Sequence, residues 1–129
     1  MNSALAVLVV EDENLLQEMV KEALTEGGFE ALVVGTGEEA ISVLSEDGSA
    51  PCAVITDIGL QGRFDGWEIA RRARELHPEM PVIYMTGAHA EDWTSKGVPN
   101  SILLNKPFAP AQLVTAVSQL LNAGGPPST

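Results

Sequence analysis

Short apolar runs alternate along the chain with longer stretches in which apolar residues return every three or four positions. Ala6-Val7-Leu8-Val9-Val10 is continuous and rich in β-branched residues, the pattern of a strand buried on both faces. Leu15, Leu16, Met19, Val20, Ala23 and Leu24 follow at helical spacing, with Asn14 as the expected cap and Gly27-Gly28 as the stop. Ala31 to Val34 is a second strand. Thr36 with Glu39 three residues on is a capping box, and it opens a helix carrying Ala40, Ile41, Val43 and Leu44. Gly48 to Pro51 is expected to break that helix. Cys52 to Thr56 is the third strand, ending at Asp57, and a Gly-rich loop runs from Gly59 to Gly66. Trp67, Ile69, Ala70, Ala73 and Leu76 form the next helical face, which His77-Pro78 ends because the residue before proline is pushed out of helical conformation. Pro81 to Met85 is the fourth strand, running to Thr86. A short, weakly patterned helix is expected over His89 to Lys96, and a fifth strand over Ser101 to Leu104. Pro110 suits the first position of a last helix, whose inner face is Leu113, Val114, Val117, Leu120 and Leu121.

Strand and helix thus alternate five times. Apolar strands in such an alternation imply an α/β fold, a parallel sheet covered by helices on both sides. Right-handed crossovers make it a single doubly wound five-stranded parallel sheet with five helices. The ordered domain is expected to span residues 1–122, and the Gly/Pro/Ser-rich tail at 123–129 is expected to be disordered.

The chain has 129 residues, which suits one domain, and it is 45% hydrophobic, enough for a packed core. Eighteen acidic against seven basic residues give a formal charge of −11, so nucleic-acid phosphates and anionic membranes are expected to be repelled. The apolar run at the start is too short to span a membrane, and a cytoplasmic location is expected. The single cysteine, Cys52, excludes an internal disulfide and a cysteine metal site.

The polar residues that follow the strands carry the chemistry. Glu11 and Asp12 follow the first strand, Asp57 ends the third, Thr86 ends the fourth, and Lys106 lies just past the fifth. All strand C-termini of a parallel sheet meet one edge, and ligands bind there where the strand order reverses. An order of 2-1-3-4-5, known for sheets of this kind and not given by the pattern itself, puts the reversal between strands one and three. Three carboxylates and one ammonium would then share one edge. Two carboxylates roughly 5 Å apart repel by about 3 kcal/mol at an effective dielectric near 20, so a cluster of three calls for a cation. Hard oxygen ligands without cysteine or clustered histidine favour Mg²⁺ over zinc.

Four blocks, Leu8-Val9-Val10-Glu11-Asp12-Glu13, Val54-Ile55-Thr56-Asp57, Val82-Ile83-Tyr84-Met85-Thr86-Gly87 and Lys106-Pro107-Phe108, resemble the signatures of receiver domains of two-component signalling. Any one block is common; four in order, each at a strand end, are specific. The resemblance covers residues 5 to 121 and implies a flavodoxin-like sheet of order 2-1-3-4-5. It implies that Asp57 is the nucleophile that becomes an aspartyl phosphate. Asp12, Asp57 and the backbone carbonyl of Gly59 would hold Mg²⁺, with Glu11 acting through a coordinated water. Lys106 would pair with phosphoryl oxygens, and Thr86 would move to hydrogen-bond them. A cis Lys106–Pro107 bond is also implied. The phosphoryl donor would be a histidine kinase or a histidine phosphotransfer protein. The output would be a protein target docked on the face of helix 4, strand 5 and helix 5, about residues 89 to 121.

The chain departs from the pattern in three places. Gln61 stands where proline is common, in a loop one residue longer than the usual form. Leu103 stands where the family places the aromatic switch residue that turns inward when the threonine moves. Gly59 and Ala88, two residues beyond Asp57 and Thr86, are both small, and open access of water to the phosphoryl group is expected. His77 and His89 read as solvated loop or helix-end residues, Cys52 as a small buried residue, and Trp93 as a core or partner contact. The alternative to a phosphorylation switch is a pseudo-receiver that docks partners without phosphate, which Leu103 favours and the intact Asp12, Asp57 and Lys106 oppose. A phosphatase with an aspartyl-phosphate intermediate would carry a second aspartate where Gly59 stands. The chain is expected to be either a stand-alone regulator or one receiver of a longer protein.

Overall fold

The computed structural model describes residues 5–46, 50–60 and 62–123. The expected behaviour of residues 47–49, of Gln61 and of the tail at 124–129 lies outside the described residues. Five strands, β1 (Leu5–Val10), β2 (Phe29–Val34), β3 (Ala53–Asp57), β4 (Val82–Thr86) and β5 (Ser101–Asn105), form one parallel sheet of order β2-β1-β3-β4-β5. The helices are α1 (Asn14–Glu26), α2 (Gly37–Ser45), α3 (Gly66–Leu76), α4 (Trp93–Lys96) and α5 (Pro110–Ala123), with a 3-10 turn at Ala90–Asp92. The fold is the flavodoxin-like receiver architecture that the sequence implied.

Two apolar layers flank the sheet because successive side chains of a strand point to opposite faces. Leu8, Val54, Val82 and Tyr84 face α2 and α3, where Leu44, Trp67, Ile69 and Ala73 meet them. Val7, Val9, Ile55, Ile83 and Met85 face α1 and α5, where Val20, Leu24, Leu113 and Val117 complete the second layer. β1, β3 and β4 are buried on both faces, which is why they read as unbroken apolar runs. Each fully buried Val, Leu or Ile side chain contributes about 1.5–3 kcal/mol.

Local boundaries follow from local chemistry. Asn14 is not the cap of α1 but its first residue; Glu13 is the extended residue before it, and its side chain makes no capping bond. The Glu13 amide is instead taken by the Glu11 carboxylate, 3.0 Å away. Leu16 packs against the α1 side of the core, while Leu15 lies at the edge of that face and is left 81% exposed. The capping box of α2 forms, with Glu39 N–H donating to Thr36 Oγ1 at 3.1 Å. Asp65 caps α3 by accepting from Glu68 N–H at 3.0 Å, an Asp-x-x-Glu signal present in the sequence but not singled out there. The single helix expected over His89 to Lys96 divides into the 3-10 turn and the one-turn α4, and the Trp93 ring closes over Gly97 where α4 ends.

The register sets the site. Val10 lies beside Thr56, Asp57 beside Met85, and Thr86 beside Asn105, so the polar residues after each strand emerge at one edge. The loop after β3 returns at Gly66, whose N–H donates to Ile58 O at 3.0 Å. A Cβ on Gly66 would run into the Asp57 carbonyl oxygen and lie 2.7 Å from Ile58 Cα, both backbone atoms that cannot turn aside. Gly66→Ala is therefore expected to cost about 1–3 kcal/mol of overpacking. Gly87→Ala, where nothing stands within 4 Å of the added carbon, is expected to cost nothing measurable. Urea denaturation of the two variants beside the parent checks this; equal midpoints for all three would contradict the close-approach reading of Gly66.

Candidate functional site

Glu11 and Asp12 leave the end of β1, and Asp57 is the last residue of β3. One carboxylate oxygen from each comes within 4.8 Å of the others. Glu11 is 1% exposed and Asp57 8%, whereas Asp12 is open to solvent. From the far side of β4, Lys106 reaches across to place its ammonium 3.2 Å from Asp57 Oδ1 and 3.4 Å from Glu11 Oε1. Its position is fixed at the backbone, where Lys106 N–H donates to Thr86 O at 2.8 Å, and the Lys106–Pro107 bond is cis.

Glu11 and Asp57 share the single Lys106 ammonium, and Asp12 brings a third carboxylate close to them. At such separations each carboxylate pair repels by about 3 kcal/mol at an effective dielectric near 20. Burial pushes the Glu11 carboxyl above its usual range, and the Asp57 charge adds to the rise. The Glu13 amide and the Lys106 ammonium pull the other way without overcoming it. Burial alone would lower Lys106, but the Asp57 and Glu11 carboxylates outweigh it and hold the ammonium above the ordinary lysine range. The donor set consists of hard carboxylate oxygens, one of them solvent-open, which fits a divalent cation that keeps several of its waters.

Thr86 is 1% exposed, and its hydroxyl oxygen accepts from Ala88 N–H at 3.1 Å and His89 N–H at 2.8 Å. In this state it serves the loop after β4. Gly59 is exposed, two residues past Asp57. The space beside it is not vacant, since His89 Nε2 lies 3.7 Å from where a Cβ on Gly59 would stand. Small residues at 59 and 88 therefore do not by themselves leave this side of the site open. Leu103 is half-buried against the α2–α3 side of the core and lies in register with Tyr84. Tyr84 is fully buried, and its hydroxyl accepts from Val98 N–H at 3.1 Å. Trp93 packs against the same layer and donates its indole N–H to Ser101 Oγ at 2.9 Å, which favours the core reading of this residue. Cys52 is half-buried, with its thiol pushed up by burial.

Sequence reasoning missed two contributors. The Gln17 side chain donates to the Glu11 carbonyl and so braces the end of β1 from the first turns of α1. No sequence signal marks it, because an exposed-side glutamine in a helix is commonplace. His89 is exposed, as expected, and the meeting of two loops brings it beside Gly59.

The chain matches the response regulator receiver domain family over residues 7–118. It is 30% identical over 119 residues to the response regulator receiver protein CpdR of Brucella abortus, covering 91% of this chain and 97% of that one. It is also 30% identical over 124 residues to the sensor kinase CckA of the same organism, where it covers 94% of this chain but 13% of the kinase. Against the phosphate regulon regulator PhoB of Pseudomonas aeruginosa it spans 53% of the relative's length. A crystal structure of a response regulator receiver protein from Sinorhizobium medicae superposes with a TM-score of 0.91 at 46% identity, covering 95% of this chain and 98% of that chain. Receiver domains bind Mg²⁺ at an acidic pocket, which here corresponds to Glu11, Asp12 and Asp57. Among the described residues no helix is long and apolar enough to cross a membrane. With a sheet of receiver topology and an acidic cluster at its reversal point, this chain belongs to the receiver domains of two-component response regulators.

Proposed function

We propose that this receiver accepts a phosphoryl group on Asp57 from a histidine kinase or a histidine phosphotransfer protein, and signals through protein contacts. The observation that carries the reading is the Asp57 carboxylate held 3.2 Å from the Lys106 ammonium, within 4.8 Å of the carboxylates of Glu11 and Asp12. A carboxylate oxygen of Asp57 attacks phosphorus while the bond from phosphorus to the donor's imidazole nitrogen breaks, and the electron pair stays on that nitrogen. Such transfer needs positioning and charge neutralisation more than acid–base help. Lys106 pairs with the phosphoryl oxygens. Asp12, Asp57 and the Gly59 carbonyl would hold Mg²⁺, with Glu11 acting through a water. Bound there, Mg²⁺ supplies the positive charge that one lysine cannot.

Thr86 is the switch in this reading. To reach a phosphoryl oxygen its hydroxyl must release the amides of Ala88 and His89. Each such bond is worth about 1 kcal/mol net, and a hydrogen bond to a charged oxygen offsets much of that loss. Release would loosen the loop leading into the 3-10 turn and α4, and so pass the signal to the α4–β5–α5 face. Leu103 has no ring to swing or hydroxyl to bond, so the readout runs through this loop and not through an aromatic at 103. The match to a stretch of a sensor kinase supports a phosphorelay setting.

Incubation with Mg²⁺ and acetyl phosphate is expected to give one phosphate adduct by intact mass, lost in Asp57→Asn and in EDTA. Absence of an adduct, together with no Mg²⁺-dependent spectral change on adding beryllofluoride, would overturn the phosphoacceptor reading in favour of a phosphate-independent docking module.

Burial of Glu11 makes a second prediction. A carboxyl whose native pKa is raised contributes its stability fully below its unfolded value, near 4.5, and loses it as pH rises through the native value. At neutral pH, without divalent cation, the charged Glu11 therefore works against the fold. Glu11→Gln is expected to raise the urea midpoint at pH 7 in EDTA, with the gain shrinking as pH falls toward 4.5. Added Mg²⁺ is expected to stabilise the parent more than the variant. A variant less stable than the parent at pH 7 in EDTA would show that Lys106 pairing outweighs the burial cost.

A further inference from the structure

Side chains hold the connection between β4 and β5 at both of its ends. At the entry, the Thr86 hydroxyl accepts from the Ala88 and His89 amides. At the exit the holder is Arg74, from the last turn of α3. Its Nη1 donates to Pro99 O at 2.6 Å, and its Nη2 reaches Asn100 O at 3.4 Å. Its Nε donates to Met80 O at 2.6 Å, which fixes the guanidinium to the turn that follows α3. That turn is closed by Met80 N–H donating to His77 O at 2.9 Å. With one edge of the planar fork fixed there, little freedom is lost in reaching the loop. The loop needs such a holder. Asn100 stands at φ 60°, a left-handed conformation uncommon outside glycine. The helix before it, α4, is a single turn and gains little from its own hydrogen bonds. The neighbouring bonds, from Val98 N–H to the Tyr84 hydroxyl and from Ser101 Oγ to Val98 O, come from the sheet and from the loop's own end. Arg74 is what ties this exit to α3.

We propose that Arg74 is a positioning residue of the switch: it holds the exit of the β4–β5 connection in the arrangement seen here, and so opposes the shift of α4 that a phosphoryl group on Asp57 would drive. This role rests on the phosphoacceptor reading above and adds to it a residue far from the acidic edge. Release at Thr86 frees only the entry of the segment. For the 3-10 turn and α4 to move as a unit, the exit must give way too, and the Arg74 contacts with Pro99 and Asn100 must break or stretch. Bonds made in one arrangement alone bias the equilibrium toward it, and a ligand of the other arrangement then binds with an apparent affinity lowered by the fraction of competent molecules. Arg74 bonds to Met80, Pro99 and Asn100, none of which belongs to the acidic cluster. Its removal can therefore tighten the hold on a phosphoryl mimic only through the position of the loop.

The test titrates the whole chain with beryllofluoride in Mg²⁺, following a Mg²⁺-dependent spectral change. Arg74→Met keeps an apolar stem and removes every donor. It is expected to bind beryllofluoride about tenfold more tightly than the parent. Arg74→Lys, which keeps the charge but not the fork, is expected to fall between the two. Amide hydrogen exchange of the free protein is the second measurement. In Arg74→Met it is expected to quicken at residues 97–101 by more than in β1 and β3. Affinity equal to or weaker than the parent's would overturn the proposal and leave Arg74 a staple of the fold, because lost stability alone does not tighten binding. Exchange that quickens equally throughout, or not at all at 97–101, would also overturn it. If Arg74→Met does not fold, Arg74→Lys decides by the same affinity comparison. If the parent itself binds no beryllofluoride, the phosphoacceptor reading fails and this role falls with it; binding by the parent with no gain in either variant rejects this role alone.

Discussion

Repulsion among three carboxylates at one end of the sheet is the constraint around which this structure is built. Glu11 and Asp57 are buried, and a single ammonium spans the two. The two buried carboxylates thus share one positive charge. A hydrophobic core would ordinarily exclude such a cluster, since an unpaired buried charge costs several kcal/mol. It persists because β1 and β3 are adjacent and parallel, with Val10 in register with Thr56. Their next residues have no choice but to converge. The stability of the two apolar layers allows the edge to remain electrostatically strained.

Rigidity and mobility divide along the same edge. The third strand enters the loop after Asp57 and is recaptured at once by Gly66, packed on the backbone of Asp57 and Ile58. Asp65 then caps α3, so Asp57 is held between a buried strand and a fixed helix start. Lys106 is likewise tied through its amide to the Thr86 carbonyl. The loop after β4 is different. Its entry is held through one hydroxyl, and the elements beyond it are a 3-10 turn and a single helical turn. Short helices gain little from their own hydrogen bonds, so this segment depends for its position on packing and on the bonds that the Thr86 hydroxyl accepts.

Trp93, Tyr84 and Leu103 show how the segment beyond Thr86 is anchored when position 103 is not aromatic. Tyr84 is fully buried and holds the Val98 amide, and the Trp93 indole holds Ser101 at the start of β5. Leu103 packs against the same layer as a plain apolar residue. Polar contacts to the stretch joining α4 to β5 thus come from residues 84 and 93, together with Arg74, which donates to Pro99 O at 2.6 Å.

The sequence by itself determined the element order, the buried strands and the polar residues that follow them. Short continuous β-branched runs bounded by turn residues read as strands, and a residue following each run falls at the sheet's carboxyl edge. Glu11, Asp12, Asp57, Thr86 and Lys106 were legible for that reason. What the sequence did not determine were properties that arise between elements distant in the chain. The face on which Leu15 lies depends on how α1 rolls against the sheet, since two adjacent leucines offer the helix a choice. The end of α4 is marked by a tryptophan ring folding over Gly97 and bonding to Ser101, contacts that periodicity does not encode. The placement of His89 beside Gly59 follows from the Thr86 hydroxyl gathering the amides that follow it. Only the tertiary structure decided these, because hydrophobic spacing reports which side of an element is buried, while the meeting of two loops is set by the packing of everything beneath them.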